Sequence, residues 1–220
     1  MAGRQKRQRF RQNEVADNVI ERGKPGYTTL KGNWCRDYFG NDHPITVELG
    51  CGKGEYTVGL ATRYPDRNFI GIDIKGDRIA RGSQLALVAG LGNVAFLRTD
   101  VRYLDEFFVS DELSEIWITF PDPQVLDHRE KHRLTHPLFL SCYARLLQPG
   151  GLLHVKTDSE LFFRYSLGTL PVAGYRLLHV TNDLYASPLN VLHNGICTTY
   201  EAIFHGKGYP IHYLQSKREP

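Results

Sequence analysis

Residues 47–54 read Val-Glu-Leu-Gly-Cys-Gly-Lys-Gly, VELGCGKG in one-letter code. An apolar run of strand length, Ile45–Leu49, leads into the segment, and a stretch of helical period follows from Glu55 to about Tyr64. A strand that turns through glycines into a helix opens a βαβ unit. Gly50, Gly52 and Gly54 permit a tight turn and let backbone approach a ligand closely. The same glycines could serve only to pack strand against helix, so spacing and neighbours must decide. A dinucleotide fingerprint runs G-x-G-x-x-G and rests a pyrophosphate on the helix N-terminus. Here the run is G-x-G-x-G, residue 55 is Glu, and Glu48 precedes the turn. Carboxylates so placed disfavour a phosphate. Glu48 suits the cationic methionine end of S-adenosylmethionine, directly or through water.

The alternation continues on both sides of this turn. A second strand is expected at Asn68–Ile72 and a helix from about Asp77 to Ala89. A third strand at Val94–Leu97 leads to a helical turn near Tyr103–Phe108, and a fourth covers Glu115–Thr119. A helix over Pro137–Leu147 stops at Pro149-Gly150-Gly151, the fifth strand is Leu152–Lys156, and a helix begins after Asp158. Two final strands, near Tyr175–Val180 and Thr198–Phe204, are expected to close the sheet as a hairpin. The pattern predicts an α/β, Rossmann-like fold with a mostly parallel seven-stranded sheet, an antiparallel C-terminal hairpin and helices on both faces. Residues 1–43 read as a basic, partly flexible extension in which Gly23, Pro25 and Gly26 break any helix, and residues 44–220 as the catalytic domain.

A chain of 220 residues suits one α/β domain with short extensions. The net charge of +3 is compatible with an anionic partner without requiring one. Distribution says more. Arg4, Lys6, Arg7, Arg9 and Arg11 precede the first carboxylate, Glu14, and suggest a solvated nucleic-acid arm. The four cysteines include no C-x-x-C pair, which fits a reduced cytoplasm and neither zinc nor a disulfide framework. No apolar run approaches the length needed to span a bilayer, and the basic start lacks the apolar stretch of a secretory signal.

Three acids follow three successive strands, where open α/β sheets bind ligands. Besides Glu48, Asp73 ends NFIGIDIKG and is placed to accept both hydroxyls of an adenosine ribose, a helix N-cap being the plain alternative. Asp100, in LRTDVR, can receive the adenine amino group while the backbone of Val101 meets the ring; a cap is again the alternative. After the fourth strand comes FPDPQ, in which two prolines bracket Asp122. Guanine N7 carries a lone pair and no proton, so its methylation needs alignment and a counter-charge rather than a base. Asp122 can meet the second need and accept hydrogen bonds from guanine N1–H and the amino group. The following DHREKHRLTHP, Asp127–Pro137, offers Arg129 and Lys131 for phosphates, and its histidines show no metal-ligand spacing. Asp158 in KTDS reads as a helix cap, and Thr198 and Glu201 in CTTYE as structural groups on a late strand.

These motifs resemble the bacterial tRNA (guanine-N7-)-methyltransferase family over about Pro44–Tyr213, most distinctively in FPDP with its basic loop and R-L-T, and also in DLYASP and the Thr-x-Tyr-Glu of Thr198–Glu201. The resemblance implies S-adenosylmethionine contacts at Glu48, Asp73, Asp100 and Asp122, with Asp122 also catalytic; Gly50 in the glycine turn and Val101 complete the expected cofactor contacts. It implies that Asp158 and the stretch Thr198, Tyr200, Glu201 touch the substrate guanine or its tRNA, the guanine lying in the variable loop. Many members carry Trp where this chain has Gln124 and a substrate-contacting Lys where it has Leu126; Arg129 or Lys131 is the expected compensation. Two rivals remain at this level. Methyltransferases of amino groups usually place a Pro-aromatic pair after the fourth strand, and Gln124 has no ring. A non-enzymatic tRNA-binding protein would not need the complete set of acids.

Overall fold

The computed structural model describes residues 2–219, with side chains from Gln5 onward, so the side chain of Arg4 lies outside the described residues. The chain forms two compact units, 1–109 and 110–220.

In the first unit the strands β1 (Val19–Ile20), β2 (Ile45–Leu49), β3 (Asn68–Asp73) and β4 (Val94–Arg98) lie in the order β1-β4-β3-β2, all parallel. Each residue of β2 and β3 is buried, as continuous apolar strands require when both faces are covered. Helices α2 (Glu55–Arg63) and α3 (Gly76–Val88) connect them. Close packing rests on missing side chains. A Cβ at Gly54 would stand 2.5 Å from the Phe96 ring, and one at Gly82 on α3 would stand 2.7 Å from it. At Gly71, paired with Glu48, it would meet the Phe96 ring and the Thr57 hydroxyl at 2.9 Å.

Where the sequence reads as an irregular lead-in, the structure has helix α1 (Ala2–Val15), strand β1 and a π-helical turn at Trp34–Phe39. Lys24 closes the C-terminal end of α1 by donating to the carbonyls of Asn13, Ala16 and Val19 at 2.5–2.8 Å, a favourable place for a cation. Trp34 is fully buried, donates to the Phe107 carbonyl at 2.9 Å and stacks on Phe108. No helix runs through Gly23, Pro25 and Gly26, which lie in turns between β1 and the π-helical turn.

The second unit carries β5 (Leu113–Thr119), α4 (Pro137–Leu146), β6 (Leu147–Thr157), α5 (Glu160–Val172), β7 (Tyr175–Thr181), α6 (Thr199–Gly206) and β8 (His212–Arg218). Strand order is β5-β6-β8-β7, parallel between β5 and β6 and antiparallel at the other two pairings. Strand β6 begins before Pro149, which sits where the register shifts. The described residues thus hold eight strands rather than seven, the extra one being β1.

One element differs in kind. Thr198–Phe204 does not form the expected last strand; α6 occupies it, and the hairpin partner of β7 is β8. Thr198 and Glu201 form a capping box, which outweighs the strand preference of Thr-Thr-Tyr. Strand β8 was unexpected because HYLQSKR is polar, yet it is paired on both sides. No helix among the described residues is long and apolar enough to cross a membrane.

The packing at Gly71 is directly testable. Gly71→Ala is expected to cost about 1–3 kcal/mol by overpacking, seen as a lower denaturant midpoint. Phe96→Leu in that background should recover part of the loss, and a parental midpoint for the single variant would disprove the packing.

Candidate active site

On the first unit, Gly50, Gly52 and Gly54 all adopt positive φ, between 56° and 72°, so the turn that the sequence marks needs glycine. The Gly50 and Cys51 amides donate to the Ile72 carbonyl at 2.8 and 3.0 Å. A Cβ at Gly50 would meet nothing within 4 Å, which leaves open space against the turn. Glu48 is buried below it and accepts from the Thr57 amide at 2.9 Å and from the Thr57 hydroxyl. It therefore lies at the N-terminus of α2, where negative charge is stabilised. Asp73 accepts from Gly52 N–H at 2.9 Å and from Lys75 N–H at 2.8 Å, one oxygen for each. Lys75, not Asp73, holds the cap position of α3. Burial, then the charges of Glu48 and Asp73, push the Cys51 thiol well up, so it stays protonated and is no nucleophile.

Asp100 does cap the short helical turn that Val101 opens. It accepts from Arg102 N–H at 2.9 Å and pairs with the Arg102 guanidinium at 2.7 and 3.0 Å. Helix α1 docks on the loop after Asp73. Asn13 donates to the Gly76 carbonyl at 2.8 Å, and Phe10 lies under the Arg98 guanidinium at 4.8 Å. Arg98 is held in turn by Glu21 at 3.0 Å. Lys6, Arg7 and Arg11 remain exposed on α1.

On the second unit, β5 gives way to a strained turn. Phe120 and Gln124 both have left-handed backbone, φ 47° and 48°, which costs a non-glycine residue about 1–2 kcal/mol. Such strain persists only where the surroundings enforce it. Phe120 N–H donates to the Lys156 carbonyl at 2.8 Å, and buried Arg133 reaches the Gln124 carbonyl at 3.2 Å while lying over the Tyr165 ring. Asp122, at the crest, is exposed and accepts from Gln124 N–H at 3.1 Å. Arg129 and Lys131 lie on an exposed helical turn, Asp127–His132.

Two sequence expectations are corrected. Asp158 does not cap α5: Ser159 does, accepting from Phe162 N–H at 3.3 Å. Asp158 is half-buried at the strand end, and burial pushes its carboxyl up. Glu201, expected as a group on a strand, lies on α6 and has no exposure. Its Oε1 is 2.7 Å from Lys156 Nζ, 2.8 Å from His193 Nε2 and 3.2 Å from the Tyr185 hydroxyl; its Oε2 accepts from Thr198 N–H. Burial opposes ionisation, but the His193 hydrogen bond and the Lys156 charge overcome it and hold the carboxyl below its usual value. Thr198 is buried and Tyr200 exposed. His193 carried no signal in the sequence; Arg133 lay in the basic R-L-T loop, Tyr185 in DLYASP and Lys156 at the close of the apolar run of β6, with nothing local to show that they face inward.

The fold is shared with solved methyltransferase structures. The 16S rRNA methyltransferase KamB matches with a TM-score of 0.65 at 16% identity, covering 84% of this chain and 92% of that one. A 16S rRNA (adenine(1408)-N(1))-methyltransferase from Catenulisporales acidiphilia, solved with cosubstrate SAM, matches with a TM-score of 0.58 at 15% identity, covering 88% and 93%. The fold is that of the Rossmann-like methyltransferases. A family model described as "Putative methyltransferase" matches residues 42–214. A tRNA (guanine-N(7)-)-methyltransferase of Christiangramia forsetii is 48% identical over 99% of both chains, and one of Cytophaga hutchinsonii is 44% identical over 96% of both. The chain belongs to the tRNA (guanine-N(7)-)-methyltransferase family.

The Glu201 network predicts a pH dependence. A carboxyl held below its unfolded value near 4.5 contributes stability that is complete above that pH and is lost as pH falls through the lowered folded value. Glu201→Gln, which leaves Lys156 buried without its counter-charge, is expected to cost about 3 kcal/mol at pH 6. That difference should shrink below pH 4.5 in denaturant titrations. A gap that widens on acidification would contradict the assignment.

Proposed function

We infer that this chain transfers a methyl group from S-adenosylmethionine to N7 of a guanine in tRNA, the guanine lying in the variable loop. The observation that carries the reading is Asp122, exposed at the crest of an enforced, strained turn in a chain of this family. The first unit suits the donor. Open space lies at Gly50, Asp73 is fixed beside the turn with further lone pairs on each oxygen for ribose hydroxyls, and Glu48 places negative charge behind it. Asp100 serves the adenine end, with Val101 against the ring. When bound, S-adenosylmethionine supplies an electrophilic methyl group on a sulfonium.

The protein's part is alignment and charge. Asp122 accepts from guanine N1–H and the amino group and faces the positive charge that develops as N7 is alkylated. No side chain has to remove a proton from N7. Asp158, its carboxyl raised by burial, and Tyr200 serve the acceptor beside it. Arg129 and Lys131 bind phosphates, and exposed Lys6, Arg7 and Arg11 on α1 add to that attraction. The same reading puts the protein with its tRNA in the cytoplasm.

Incubation with labelled S-adenosylmethionine and unmodified tRNA, followed by nucleoside mapping, should return 7-methylguanosine; any other product rejects the reading. Asp122→Ala is expected to lower kcat by about 10²-fold or more while cofactor affinity changes little. A near-parental rate would remove Asp122 from the mechanism. Arg129→Ala with Lys131→Ala should weaken tRNA binding and reduce the slope of log affinity against log salt by roughly 1–2. Unchanged affinity across the salt series would make that loop plain surface.

A further inference from the structure

Lys156 ends the apolar run of β6 and has no exposed side-chain surface. Its Nζ lies 2.7 Å from Glu201 Oε1, 3.4 Å from the Ile196 carbonyl and 6.0 Å from the centre of the Phe120 ring. Its own carbonyl accepts the Phe120 amide at 2.8 Å. Phe120 is the left-handed residue that opens the Pro-Asp-Pro turn, and Ile196 and Glu201 flank the N-terminus of α6. Asp158 lies two residues further along the chain. One residue thus joins the three segments assigned to the acceptor, through its main chain on one side and its ammonium on the other.

Stability alone gives a weak account of this arrangement. A buried ion pair seldom outperforms apolar residues of the same size, because both ions must be stripped of water. What such a pair does well is fix one geometry, since each ion tolerates only a narrow set of partner positions. Glu201, with Oε1 facing three donors and Oε2 a fourth, is turned away from solvent and suited to that task.

We propose that Lys156 is a positioning residue for methyl transfer: paired with Glu201, it sets the Asp122 turn and the N-terminus of α6 at a fixed spacing without touching substrate. The proposal rests on the function inferred above. The groups facing Glu201 are Lys156 from β6, His193 and Tyr185 from the segment before α6, and Thr198 at its own cap. Cys197 and His205 contact Tyr185.

The test compares the full-length parent, Lys156→Met and Lys156→Arg for tRNA methylation at pH 8. At pH 8, Lys156→Met should lower kcat about 10-fold or more, as small misplacements of reacting groups do, with cofactor affinity within about 2-fold. Lys156→Arg, which restores a cation facing Glu201, should recover most of the activity. A folded Lys156→Met protein with parental kcat at pH 8 overturns the proposal. So does a loss that arginine does not recover. Should Lys156→Met fail to fold by circular dichroism, the charge-neutral pair Lys156→Met with Glu201→Gln replaces it. That protein should fold and be slow at pH 8, and a parental rate in it overturns the proposal equally. A parent that makes no 7-methylguanosine rejects the inferred function. An active parent with an indifferent Lys156→Met rejects only the positioning role.

Discussion

Backbone amides that follow a strand need acceptors, and this chain meets that need with the carboxylates proposed to serve its chemistry. Asp73, Asp100 and Asp122 each accept from the N–H two residues on, at Lys75, Arg102 and Gln124, and Glu48 accepts from Thr57 in the first turn of α2. A hydrogen bond to a charged group contributes about 1.5–3 kcal/mol, more than the roughly 1 kcal/mol of rotamer freedom a short acid gives up. Each carboxylate is thereby fixed before any ligand arrives. For a reaction that asks for alignment and charge rather than proton removal, that fixing is most of the catalytic requirement.

The second unit solves a harder version of the same problem. A two-residue hydrogen bond orients Asp122, but the turn that carries it runs through two left-handed non-glycine residues and would relax if left alone. Lys156 and Arg133 hold its two ends from within the unit. The cost of burying their charges is offset locally, by Glu201 for one and by the Tyr165 ring with the Gln124 carbonyl for the other. Arg129 and Lys131, proposed to meet an anionic partner, lie exposed on the helical turn that follows.

Much of this was legible in the chain. Strands β2 and β3, with the helices after them, fall within a residue or two of their expected limits, because an apolar run between glycines leaves little choice. The acids after those strands were legible for the same reason: a strand's end is a fixed place in the fold. Three features were not. Helix α1 is mostly polar and holds its position through Lys24, Asn13 and Phe10, contacts that no local pattern shows. The segment at Thr198 has the composition of a strand, and a capping box turned it into α6. Strand β8 hides in polar residues because neighbours on both sides supply its pairing.

The sequence by itself determined the βα alternation, the glycine turn, the acids at the strand ends and the family to which these motifs point, all of which depend on residues close together in the chain. Tertiary structure alone decided which way those groups face. Glu201 is turned inward and Asp122 outward, though both are acids in distinctive motifs. The reason is that burying a carboxylate requires a cation and donors brought in from elsewhere, here Lys156, His193 and Tyr185.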